Sequence, residues 1–162
     1  MPDAAQKDVG NSLSATSVKK ERTPPGGARR TLKRAEILRG KGSFQLVFEK
    51  GQKIEGKYLR CLFIADSKQA IPGRSNVVFG AAVSRSIKRS VDRNRIKRLI
   101  RESYRLHKDL LLSHTGTAKM TLAIVFGYFP RHPGAAADIP SFSEVEKDME
   151  YLLNAVVVRV GG

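Results

Sequence analysis

Residues 91–105, VDRNRIKRLIRESYR, place six cations in one short stretch: Arg93, Arg95, Lys97, Arg98, Arg101 and Arg105. Ile96, Leu99, Ile100, Leu106 and Leu110 recur near the helical period in and beyond it, which predicts a helix with one buried stripe. Arg95, Arg98, Arg101, Arg105 and Lys108 repeat every three or four residues, so they are expected to lie together on the other side. Like charges at that spacing oppose an isolated helix. The stripe must therefore dock on a core, and an anion must receive the outer face.

The rest of the chain offers elements for that core. Ser43 is expected to cap a short helix through Glu49, with Phe44, Val47 and Phe48 on one face and Gly51 as its stop. Tyr58 to Ala65 alternates as a strand, with Tyr58, Arg60, Leu62 and Ile64 on one face and Leu59, Cys61, Phe63 and Ala65 on the other. Residues 71–75 form a turn, and Asn76 to Ser84 a second strand. After the basic helix, Gly116 is placed in a loop and Met120 to Tyr128 in a strand. That strand is expected to run parallel to the one at 76–84, because a helix of crossover length lies between them. Phe129 to Pro140 reads as an irregular loop. Ser143 and Glu146 fit a capping box for a terminal helix whose apolar face is Val145, Met149, Leu152, Leu153 and Val156. This order predicts an α+β fold, a small sandwich of a central mixed sheet with helices.

Residues 1–30 read as a disordered basic tail ahead of one domain at 31–162. The tail is rich in Ser, Thr, Ala, Pro and Gly, and Pro24-Pro25-Gly26-Gly27 marks its end. Such a segment buries too little surface to offset its ordering entropy. Its six basic residues against three acidic allow a loose polyanion contact, or no role beyond solvation.

The formal net charge is +15. Nucleic acid is the first partner class that this implies, and an anionic membrane surface the second. Cys61 is the single cysteine, so no internal disulfide forms, which fits a reducing cytoplasm. Residues 1–30 lack the apolar core of a secretory signal, and no apolar run suits a membrane span. From Arg85 to Lys108 ten Lys or Arg face two acids, Asp92 and Glu102, and Arg outnumbers Lys seven to three. A solvated face mixes its signs. A guanidinium grips phosphate oxygens in a fork, and the residues 84–90 that lead into the helix add further basic and hydroxyl groups. The free N–H groups of the helix N-terminus point at the same anion.

No catalytic or metal-binding residue is assigned. His107, His114 and His132 are scattered and expected on the surface or in loops. Asp148 and Glu150 are expected to be solvated, and Asp92 alone is a weak metal ligand. No phosphate-binding or dinucleotide glycine motif occurs. Phe44 and Phe48 read either as core or as a stacking platform for single-stranded bases, with Tyr58 and Arg60 beside them.

Three stretches carry a resemblance: "SFQLVFEKG" at 43–51, "VVFGAAVSRSIKRSVDRNRIKRLIRESYR" at 77–105 and "TLAIVFGYF" at 121–129. At their centre stands Arg93-Asn94-Arg95, followed by Ile96 to Glu102. Over roughly residues 31–158 the chain resembles the protein component of bacterial ribonuclease P. The resemblance implies a left-handed β-α-β crossover around the Arg-rich helix, a hand that is rare in general. It implies a monomeric, cytoplasmic subunit, one to one with a catalytic RNA and with no membrane partner. Together they would remove the 5′ leader of precursor tRNA by hydrolysing one phosphodiester bond, the chemistry being carried by RNA and by Mg²⁺ bound mainly to it. Arg93, Asn94, Arg95, Lys97, Arg98 and Arg101 match the motif that meets the catalytic RNA; Arg85, Lys88, Arg89 and Arg105 extend it. Phe44 and Phe48 match the aromatic pair of the leader cleft, which Tyr58, Arg60 and Leu62 are expected to complete. The chain departs from the family pattern at Ser86, where a basic residue is common, at Lys88, where Gly is common, and at Leu62, where an aromatic is frequent. Two other classes stay open: a general binder of structured RNA, and a protein of duplex DNA or anionic membrane surfaces.

Overall fold

A computed structural model describes residues 31–66, 76–118, 120–130 and 139–162, without the side chains of 116–118. The tail at 1–30, the turn at 71–75, His132 and most of the loop at 129–140 lie outside the described residues.

Four strands form one mixed sheet: β1 (Gln52–Glu55), β2 (Leu59–Asp66), β3 (Val77–Val83) and β4 (Thr121–Tyr128). Their order is β1-β2-β4-β3. β1 pairs with β2 and β2 with β4 antiparallel, while β3 runs parallel to β4, as the crossover length predicts. Four α-helices accompany it: α1 (Lys41–Lys50), α2 (Ser90–His107), α3 (Asp109–Ala118) and α4 (Phe142–Gly161). The fold is thus α+β, with α2 and α3 in the crossover from β3 to β4.

Strand alternation divides the core between the two sheet faces. Leu59, Cys61 and Phe63 of β2, Val77 and Phe79 of β3, and Leu122, Ile124 and Phe126 of β4 meet Ile96, Ile100 and Tyr104 of α2 and the apolar face of α4. Tyr104 stacks on Phe79 with ring centroids 4.1 Å apart and planes 5° from parallel. The other face is smaller. There Leu62, Val78 and Val125 lie against Leu38 and Val47, with Phe44 packed at the margin. Gly80 makes that approach possible, since a Cβ on it would stand 2.8 Å from the Phe44 ring.

Several sequence expectations are corrected. Helix α1 starts at Lys41 after Gly40, so Ser43 lies inside it and caps nothing; Gly51 does end it, its N–H donating to Val47 O at 2.9 Å. β1 was not foreseen, because only Ile54 of its four residues is buried and no alternation marks it. Gly116 belongs to α3 and not to a loop. The terminal helix is capped two residues earlier than expected, by Ser141 and Glu144 rather than Ser143 and Glu146. The Glu144 carboxylate accepts from the Ser141 N–H and hydroxyl, and Ser141 Oγ accepts from the Glu144 N–H. Glu146 instead sits 3.2 Å from half-buried His107 of α2.

Lys108 is the largest change of place. It is 7% exposed, not on the outer side, because α2 ends at His107 and the chain turns there. Its Nζ donates to Thr31 O at 2.8 Å and pairs with Glu36 at 3.1 Å. That contact anchors the segment whose Leu38 N–H donates to Phe79 O at 2.7 Å, covering part of the free edge of β3.

Candidate nucleic-acid interface

The turn from β3 into α2 is built from short-range bonds. Ser84 N–H donates to Tyr128 O at 3.0 Å, and the Ser84 and Ser86 hydroxyls lie 2.8 Å apart. Ile87 is buried and pins the loop to the core, which leaves Arg85, Lys88 and Arg89 exposed around it. Arg93 locks this turn from inside the helix, its Nη1 donating to Ile87 O at 2.6 Å and to Lys88 O at 2.8 Å. Its head group is thereby committed to the loop backbone.

Along α2 the two faces separate as the spacing predicts. Ile96 and Ile100 are fully buried, and Ser103 and Tyr104 join them. Leu99 and Leu106 lie only half-buried at the flank. Asn94, Arg95, Arg98 and Arg101 are exposed, with Lys97 half-buried beside them. Among the described residues, Arg85, Lys88, Arg95, Lys97, Arg98 and Arg101 have no acidic partner; the nearest pairs are Arg89 with Asp92 at 3.9 Å and Arg105 with Glu102 at 2.8 Å. Arg105 grips Glu102 through both Nε and Nη2, which holds the Glu102 carboxyl below its ordinary range. Unpaired guanidinium groups on a fixed helix repel one another and are relieved by a polyanion.

A second surface lies on the α1 face of the sheet. Phe44 is half-buried and packs near Leu62, which is buried. Phe48 is 41% exposed and meets the edge of Phe129, centroids 6.3 Å apart and planes at 87°. The Arg60 guanidinium stands 5.1 Å over the same Phe129 ring, with Glu55 3.2 Å from its Nη2. Arg60 pairs in register with Gly127, and the Phe129 ring folds back over that glycine, where a Cβ would collide with it. Phe48, Phe129 and Arg60 thus form a partly open aromatic and cationic ledge. Tyr58 is not part of it: it precedes β2, and its hydroxyl donates to Glu144 at 2.7 Å.

Phe129 was missed in the sequence because it follows β4 and read as the first loop residue. Only its offset of two from Gly127, which continues the strand's alternation, hints at the shared face. Asp148 was misread as a solvated acid. It is 7% exposed and accepts from the N–H groups of Lys57, Tyr58 and Leu59 at 2.8, 2.8 and 2.7 Å. Among the described residues no three His, Cys, Asp or Glu cluster to hold a metal ion, and no helix is long and apolar enough to cross a membrane.

Comparison with known proteins converges on one family. The sequence model of the family described as Ribonuclease P matches residues 32–156. The ribonuclease P protein component of Chlorobaculum tepidum is 32% identical over 130 residues, covering 75% of this chain and 80% of that protein. That of Staphylococcus carnosus is 28% identical over 122 residues, covering 75% and 90%. Among solved structures, the RNase P protein of Staphylococcus aureus has a TM-score of 0.55 at 20% identity, over 75% of this chain and 94% of its own. The RNase P protein of Thermotoga maritima has 0.55 at 23% identity, over 74% and 96%. At those identities the structural match speaks for the fold alone.

Proposed function

Because the chain belongs to the ribonuclease P protein family, we propose that it is the RNA-binding subunit of a ribonucleoprotein that removes the 5′ leader of precursor tRNA. One observation carries the reading: Arg95, Arg98 and Arg101 stand exposed and, among the described residues, without an acidic partner on a helix whose other side is fixed by Ile96 and Ile100. In this reading the catalytic RNA lies along that face of α2 and the loop before it. Arg85, Lys88, Arg89, Asn94 and Lys97 add phosphate and sugar contacts. Arg93 and Arg105 serve the surface indirectly, one by shaping the loop and the other by neutralising Glu102.

The leader of precursor tRNA lies across the ledge of Phe48, Phe129 and Arg60, where exposed ring area invites stacking. Phe44 and Leu62 pack in the small core cluster on the same sheet face, and Tyr58 ties the start of β2 to α4. The described residues offer no donor cluster that fits Mg²⁺; the ion belongs in this reading to the RNA, and so does the bond cleavage. The subunit would act as a monomer, one to one with its RNA, in the cytoplasm.

Reconstitution tests this. The RNA-free protein with Mg²⁺ should leave precursor tRNA uncut, and adding a bacterial ribonuclease P RNA should give cleavage at the mature 5′ end. Phe48→Ala should then weaken binding of precursor tRNA roughly tenfold and leave mature tRNA unaffected. Cleavage by the RNA-free protein would overturn the division of labour. Equal losses for both tRNA forms would remove the leader from the ledge.

A further inference from the structure

A groove of about 920 Å³ runs along the outer side of α2 where it meets Phe142, the first residue of α4. Its lining divides by chemistry. Val91, Leu99 and Phe142 are apolar, Asn94, Arg95, Arg98 and Arg101 are donors, and among the described lining residues Glu102 is the one acid. The groove is shallow and open to solvent, with room for one base ring to lie against its lining. Val91 is 67% exposed, and Leu99 and Phe142 are half-buried, so each keeps apolar area that the core does not use. Glu102 is gripped by Arg105, whose charge offsets its own toward an arriving phosphate.

A purely phosphate-binding face has no use for an apolar floor. The outside of an RNA duplex presents phosphates and sugars, whereas an unstacked base presents an apolar ring face with phosphates on either side. Ring faces seek an aromatic or aliphatic platform, and the flanking phosphates seek guanidinium groups. Asn94 adds an amide that both donates and accepts, as a base edge requires. We propose that this groove takes one unstacked nucleobase of the bound RNA, its ring against Phe142, Leu99 and Val91 and its flanking phosphates on Arg95, Arg98 and Arg101. The inference rests on α2 being the RNA-binding face, and adds a base-dependent contribution which phosphate contacts alone lack.

The test uses the full chain and two RNA probes of equal length and charge, an oligoadenylate and an abasic strand. The oligoadenylate should bind about fivefold tighter or more. Phe142→Ala and Val91→Ser should each reduce that preference and leave abasic binding unchanged, while Arg98→Ala should weaken both probes alike. With methyl-labelled Leu99, the oligoadenylate should move the Leu99 methyl resonances by ring current and the abasic strand should not. Unmoved Leu99 methyls, or a preference that survives both Phe142→Ala and Val91→Ser, would overturn the inference while salt-dependent binding of both probes still supported the α2 face. Loss of salt dependence for both probes would instead remove the α2 reading, and this one with it.

Discussion

Asp148 holds three successive backbone N–H groups ahead of and at the start of β2, and so joins α4 to the strand that carries Arg60 and Leu62. The sequence reading takes it as solvated because it has no matched partner there, and its partners are about ninety residues away in the chain; the sign passed over is its place three residues after Val145 and four before Leu152, within the buried stripe of α4. Asp148→Ala should cost roughly 2–4 kcal/mol in urea unfolding, since the buried Leu59 N–H loses its acceptor while the other two rehydrate; a change under about 0.5 kcal/mol would show that the bonds contribute little. Glu144 gives a pH signature at the same junction. Its carboxyl is held down from 4.5 to about 2, first by the Tyr58 hydroxyl and then by the Ser141 N–H and hydroxyl. A carboxyl depressed by folding stabilises the fold fully above pH 4.5, and that contribution fades as pH falls toward 2. Glu144→Gln should therefore flatten the fall of the thermal midpoint from about pH 5 to about pH 3. Equal falls in the two proteins would show that the carboxylate bonds are not maintained in solution.

At the scale of the element, α2 shows what periodicity reveals and where it stops. Ile96 and Ile100 were legible because apolar residues four apart must share a face, and the exposed Arg95, Arg98 and Arg101 followed from the same geometry. Lys108 was not, because the register runs on through 108 only if the helix does, and it ends at His107. Tyr104 was overlooked although it lies four residues beyond Ile100, its partner Phe79 being on a strand far away in sequence. The cap of α4 was ambiguous in principle: Ser141–Glu144 and Ser143–Glu146 both fit the capping spacing, and tertiary contact decides, since Glu146 turns to His107. Ile100→Ala should cost about 2–5 kcal/mol, whereas half-buried Leu99→Ala should cost clearly less. Arg98→Ala with Arg101→Ala should leave stability within about 0.5 kcal/mol, as expected of exposed residues without partners among the described residues. Thermal unfolding of the three proteins checks this order; a double Arg variant less stable than Ile100→Ala would invert the faces assigned to α2.

Over residues 31–162, the division is between a core that any α+β sandwich needs and an Arg-rich face for which the described residues supply few acidic partners. Alternation made β2, β3 and β4 legible and crossover length the parallel pairing of β3 with β4, whereas β1 carries no such signal. The ledge was legible only in part, because Phe129 joins it through β4 register and not through local sequence. In the proposed function, exposed Arg residues of α2 hold RNA through its phosphates. Each such contact releases counterions, so binding must weaken with salt by a slope of about −0.7 to −0.9 per contact in log affinity against log salt. The most direct test compares the unaltered protein with Arg98→Ala/Arg101→Ala on a bacterial ribonuclease P RNA across a salt series. The slope should become shallower by roughly 1.4 to 1.8 as two phosphate contacts are lost, with affinity reduced at low salt. An unchanged slope, with affinity retained, would contradict the assignment of α2 as the RNA-binding face.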